Sequence, residues 1–310
     1  MEPAFVPFIP GLRLAGEFYA VVVRPLLAEQ FPGLRYAAAL LGPGSEVAGL
    51  GDWLTGQLGF DPRHAVTRLD WLATPAQKLA ECTAGKVFHD GPGELTRARA
   101  ALAWYPRDVW LYLLACQWRR IEQEEPFPGR CAEAGDDLGS AVVTARLARD
   151  LMRLWLLMHH RYPPYSKWLG TAFARLPGTA GLAASLAAAL RAGDWRAREQ
   201  HLTDAYQTVA ARHNQLALTP PLDTRTSRFH DRPYQVIGAG RFAAALQAAI
   251  TDPQLSRLPL IGAIDQFTDG TDAAGDLRFT RACVAAAIGW QVTAALGPGG
   301  QQAAGQDQGE

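Results

Sequence analysis

The sequence predicts a mainly α-helical bundle preceded by a short α–β stretch. The first observation is a central helix over Asp108–Glu125, whose opening turns are apolar nearly all round, as in a helix buried in a core. The second is a set of further stripes at helical spacing, such as Leu147, Leu151, Leu154 and Met158, or Leu202, Tyr206, Val209 and Leu216. The third is at the start of the chain. A helical pattern over 12–30 leads into Leu34–Leu41, a candidate buried strand despite its alanines, and then into Gly42-Pro43-Gly44-Ser45. The expected division is residues 1–60 as the α–β stretch, 61–296 as the helical domain and 297–310 as a disordered tail.

Composition narrows the class. At 310 residues, with 48% hydrophobic and 19% charged side chains, the chain reads as an ordinary soluble globular protein. Its formal net charge is zero, which argues against nucleic acid or an anionic membrane as partner. Leu182–Leu190 and Ala282–Leu296 are too short or too interrupted to span a bilayer, and Met1–Gly11 lacks the pattern of a signal peptide. Cys82, Cys116, Cys131 and Cys283 are scattered, which predicts reduced thiols and a cytoplasmic location.

Each later element has its own signal. Asp70-Trp71-Leu72 with Pro75 predicts a capped helix running to about Thr83, and Glu94–Trp104 a short helix. Pro106 suits the start of the central helix, and Pro126, Pro128 and Gly129 are read as its stop. Asp136 and Asp137 open a long helix to about His160, acids being favoured at a helix's positive end. Pro163-Pro164 makes a rigid turn into a helix through Arg175, with Ser166 as a candidate cap. An Ala-rich helix over 183–192 follows, then one from Trp195 to Leu218 capped by Asp194, with His213 on its apolar stripe as an ordinary core histidine. Leu277–Leu296 is the last helix.

Candidate binding residues gather where the central helix turns polar. Gln117 and Arg120 lie one turn apart; Arg146, Arg149, Arg153 and His160 line one face of the next helix; Tyr165 and Lys167 sit at the following helix start, whose free N–H groups favour an anion. The plain alternative is a solvated face, or an internal salt-bridge network in which Asp150 pairs with Arg146 and Arg153 and Glu124 and Glu125 join in. For Lys167 that alternative is a stem lying over Trp168 and Tyr165. A rival motif is Gly238-Ala239-Gly240 with Arg241-Phe242-Ala243. Read between strands at Tyr234–Ile237 and Leu260–Asp265, it suits a dinucleotide, although neither half of that fold is complete.

Arg107 to Ile121 with Gln123-Glu124-Glu125, then Gly135-Asp136-Asp137-Leu138-Gly139-Ser140, Tyr165 to Thr171 and Asp265-Gln266-Phe267, resemble an uncharacterised bacterial family. That family has a nucleotidyltransferase-like N-terminal domain and a helical C-terminal domain of unknown function. The resemblance implies that the α–β stretch is a remnant of the first domain, with Gly44 and Ser45 turning round a triphosphate. It also implies that Tyr165 and Lys167 reach toward nucleotide phosphates. The metal-holding Asp-x-Asp pair is missing, because after Gly44-Ser45 come only Glu46, Asp52 and Asp61. The expectation is therefore a degenerate protein that binds a nucleotide or small anion without transferring it. One rival is an active nucleotidyltransferase using Glu46, Asp52 and Glu124, which would need Mg²⁺ and a nucleoside triphosphate. The other is a helical interaction scaffold with no ligand. Substrate, cofactor and oligomeric state are left open by the residues.

Overall fold

The computed structural model describes residues 49–295 other than 86, 88 and 89, with the side chains of 271 and 288–295 also outside the description. The helix over 12–30, the strand over 34–41, the Gly44-Ser45 turn, Glu46 and the tail from 297 lie outside the described residues.

The helical segments follow the apolar periodicity. They are α1 (Leu50–Leu58), α2 (Arg68–Ala73), α3 (Ala76–Thr83), α4 (Glu94–Ala101), α5 (Arg107–Glu124), α6 (Phe127–Glu133) and α7 (Asp137–Met158). After these come α8 (Ser166–Ala174), α9 (Thr179–Arg191), α10 (Trp195–Gln215), α11 (Ala239–Ala248), α12 (Ile264–Phe267), α13 (Thr271–Gly275) and α14 (Leu277–Ala295). Some helix ends differ from expectation. The segment read as one helix from Asp70 is two, because Pro75 cannot continue α2. Thr67 rather than Asp70 caps α2: its hydroxyl accepts from Asp70 N at 3.2 Å while the Asp70 carboxylate accepts from Thr67 N at 2.8 Å. As read, α5 stops just before Pro126; Pro126 and Pro128 also stand at the entry and first turn of α6, where a missing N–H costs nothing. Ser166 is the first helical residue of α8, whose N-cap is Tyr165 and has no side-chain cap. Asp194 does cap α10, accepting from Arg196 N and Ala197 N.

The core surrounds α5. Its residues from Val109 to Trp118 are all buried, with α11 against one side and α7 against another. Three α5 side chains turn polar atoms to neighbours. Trp110 Nε1 donates to Leu157 O at 2.9 Å, Tyr112 OH to Pro259 O at 2.8 Å, and Trp118 Nε1 to His213 Nδ1 at 3.3 Å. Trp118 also stacks on Phe242 of α11, with centroids 4.5 Å apart. The α9–α10 pair packs outside α7, and α14 lies along α2, tied by Arg281 to Asp70 at 2.6 Å. His160, just past α7, is in the left-handed region at φ 53 and stacks on Trp104.

Among the described residues the β pairing is one antiparallel hairpin of two-residue strands, β1 (Ser227–Arg228) and β2 (Gln235–Val236), late in the chain. This corrects the expected N-terminal α–β remnant: residues 50–58, within the 1–60 stretch, are helix, and the strands lie elsewhere. It also removes the dinucleotide reading. β2 pairs antiparallel with its neighbour, and the supposed second strand is turn followed by α12.

Candidate functional site

The polar end of α5 faces the middle of α7 and the loop around α12. Gln266 Nε2 donates to Leu113 O at 3.0 Å and to Gln117 Oε1 at 3.1 Å, and Gln117 Nε2 donates to Asp150 O at 3.2 Å. Arg120 donates to Gln266 O at 2.6 Å and stands 3.5 Å from the Asp150 carboxylate. Arg153 donates to Asp265 O. Arg149 makes a two-bond contact with Asp269, at 3.0 and 2.9 Å, which holds that carboxyl below its usual range. Arg146 pairs with Glu124, which raises the guanidinium's already high pKa.

Thus the structure brings together Gln117, Arg120, Arg149 and Arg153, and sets carboxylates and carbonyls of the same chain against them. The pairing differs from the expected internal network: Asp150 faces Arg120 and Arg149 instead of Arg146 and Arg153. Asp150 is 1% exposed, and its Oδ1 has no hydrogen-bond partner; the nearest cation is Arg149 Nε at 3.5 Å, itself without a bond. The adjoining cavity, lined by Gln117, Arg153, Tyr105 and Asp265, measures about 20 Å³, room for about one water molecule. Burial pushes the Asp265 carboxyl up, opposed by Arg153 and by the bond it accepts from Ala76 N at 2.5 Å. Tyr165 N donates to Gln77 on the same helix, α3, at 3.4 Å. Lys167 is exposed, with Nζ 5.2 Å from the Trp168 ring centroid. Gly44 and Ser45 lie outside the described residues.

The helix start at Gly238 is already filled, by a side chain of the same protein. Glu125, just past α5, is buried, and its carboxylate accepts from Ile237 N at 2.8 Å, Gly238 N at 3.1 Å and Ala239 N at 3.0 Å. Three N–H groups at a helix N-terminus are what a phosphate would take. A second carboxylate approaches nearby: a Cβ at Gly240 would meet the far end of the Glu122 side chain, which pairs with Arg119. Sequence reading missed Glu125's role because the two partners lie more than a hundred positions apart. The available signal was an acid at the end of one buried helix and a Gly-rich helix start without a complete fold around it.

Among the described residues no group of three or more His, Cys, Asp or Glu is placed to hold a metal ion. Asp52 is exposed on α1, and Glu124 is engaged with Arg146. No described helix is long and apolar enough to cross a membrane. Fold and site together define a helical bundle whose inward-facing charges are matched within the chain.

The model of a family described as a domain of unknown function, DUF4037, matches residues 71–169, about a third of the chain. No curated protein and no solved structure matches. The matched stretch runs from α2 into α8, and each described element in it is a helix. This corrects the resemblance drawn from the motifs. The similarity is to a helical domain, and neither it nor the geometry carries a nucleotidyltransferase-like fold, a nucleotide site or a degenerate remnant of one.

Proposed function

We propose that this chain is a helical interaction module that holds a partner protein against the first turns of α7. The supporting observation is Leu138 and Val142, 77% and 53% exposed, at positions i and i+4 on a helix whose other side is buried through Ser140, Thr144, Leu147 and Leu151. Each such side chain gains about 1.5–3 kcal/mol on full burial, a gain this face leaves to a partner. Leu190, 50% exposed, closes α9 near the start of α10, where Arg198 bonds Asp137 and Ser140 at the start of α7. Leu190 therefore lies at the same end of the bundle as Leu138 and Val142, and Asp136, Asp137 and Arg146 neighbour the latter two along α7. The fitting occupant is an amphipathic segment of another protein, with aliphatic residues at helical spacing. The charged residues first read as an anion site then act as clamps that fix α7 against α5 and α12.

A photo-cross-linking residue placed at Leu138, with a control at exposed Ala100, tests this in cells making the protein. One partner is expected from position 138 and not from 100. Its affinity for the purified chain should fall at least tenfold with the Leu138→Lys, Val142→Lys pair, at unchanged melting temperature. The same adducts from both positions, or an affinity untouched by the pair, would overturn the reading.

A further inference from the structure

Between α6 and the hairpin lies an open cleft of about 530 Å³, lined by Arg130, Glu133, Ala134, Phe229, Arg232 and Tyr234. Its walls are built. Gly129 lies against the Tyr234 ring so closely that a Cβ would strike it. The turn carries His230 in the left-handed region at φ 56, a conformation few non-glycine residues adopt, and Phe229 N donates to Tyr234 O at 2.9 Å across its base. The turn thereby sets the Phe229 ring near parallel to Tyr234, centroids 6.5 Å apart.

The charge in the cleft is unbalanced. Arg130 touches the Phe127 ring face and pairs with no carboxylate among the described residues. Arg232 meets Glu133 only at 3.5 Å, with both side chains largely exposed. Two guanidinium forks thus face one weakly engaged acid beside two aromatic rings. Ala134 leads through Gly135 and the Asp136 cap directly into α7, so Leu138 stands four residues beyond the cleft wall.

We propose that this cleft receives an acidic segment of the partner, a carboxylate pairing with Arg130 and Arg232 and a neighbouring apolar side chain lying on Phe229. This rests on the interaction-module reading and names the partner's chemistry. Guanidinium groups favour carboxylates because two parallel N–H bonds match the two oxygens. Glu133 holds Arg232 near the cleft and gives way to the incoming group. Charge pairs of this kind select the partner and speed its arrival.

Fluorescence anisotropy with a labelled Glu- and Phe-containing peptide, and its counterpart with Lys for Glu, tests the proposal on the full chain. The acidic peptide should bind at least tenfold more tightly than the basic one and weaken as salt rises. Arg130→Glu and Arg232→Glu should each lower its affinity at least fivefold, and the double reversal should prefer the basic peptide. Both positions are exposed, and circular dichroism checks the fold. Equal affinity for the two peptides, or binding unchanged in both variants, would overturn the proposal. The Leu138→Lys, Val142→Lys pair keeps the two readings apart: charge preference that persists in it, together with no cross-link from position 138 of the otherwise wild-type chain, sinks the α7 reading and leaves the cleft standing.

Discussion

At the scale of the residue, two buried titrating groups pull stability in opposite directions. Burial pushes the Glu125 carboxyl from its ordinary 4.5 up to about 7, opposed by the three N–H groups it accepts. Between 4.5 and about 7 the folded chain keeps a proton that the unfolded chain has lost, so this residue's contribution falls as pH rises through that window. His213 is the reverse case. Burial lowers it from 6.5 to about 4, so the unfolded chain takes up a proton the folded chain refuses, and its contribution is lost as pH falls through about 4. The wild type should therefore show partial cancellation where the windows overlap. Glu125→Gln should unmask a urea midpoint that climbs with pH up to about 6.5, the ordinary value for histidine. A Glu125→Gln profile parallel to wild type would show that the Ile237–Ala239 N–H groups hold the carboxyl near its ordinary value. Leu114, fully buried on α5, is a simpler test: Leu114→Ala should cost about 2–5 kcal/mol in urea unfolding, as other emptied core positions do.

At the scale of the element, close approaches matter more than helix propensity. In α6, Gly129→Ala would drive a methyl into the body of the Tyr234 ring, a rigid group buried against the helix. In α11, Gly240→Ala meets the far end of Glu122, a side chain that can rotate away. Both changes gain the same small advantage of Ala over Gly in a helix. Gly129→Ala should therefore lose about 1–3 kcal/mol, the range for overpacking, and Gly240→Ala clearly less. Equal melting-point shifts in the two variants would mean that the hairpin yields to α6. Helix ends show the same lesson. Asp194 was readable as a cap from its place before Trp195, whereas the α2–α3 break and the short α6 depended on how each proline sat within its turn.

At the scale of the molecule, the Arg120–Arg149–Arg153 group joins three regions that are distant in sequence. Arg153 holds the carbonyl of Asp265, whose carboxylate in turn accepts from the start of α3. Arg153→Ala should loosen this joint without opening the core. Hydrogen exchange should speed up in α12 and at Ala76, while α5 amides keep their protection. A uniform rise across all helices would instead mark global destabilisation. Periodicity alone determined that this chain is mainly helical, that the segment after Pro106 is its buried centre and that α7 runs from the Asp136 region toward the Pro163 turn. Those are local properties, set by the spacing of apolar residues and by the prolines that interrupt it. Tertiary structure alone decided which acid meets which arginine, that Glu125 fills the helix start at Gly238, that the strands form a late hairpin instead of flanking a dinucleotide, and that Leu138 and Val142 stay in water. Each of those depends on how helices far apart in sequence cross, and helical spacing places a residue on a face without naming what that face meets.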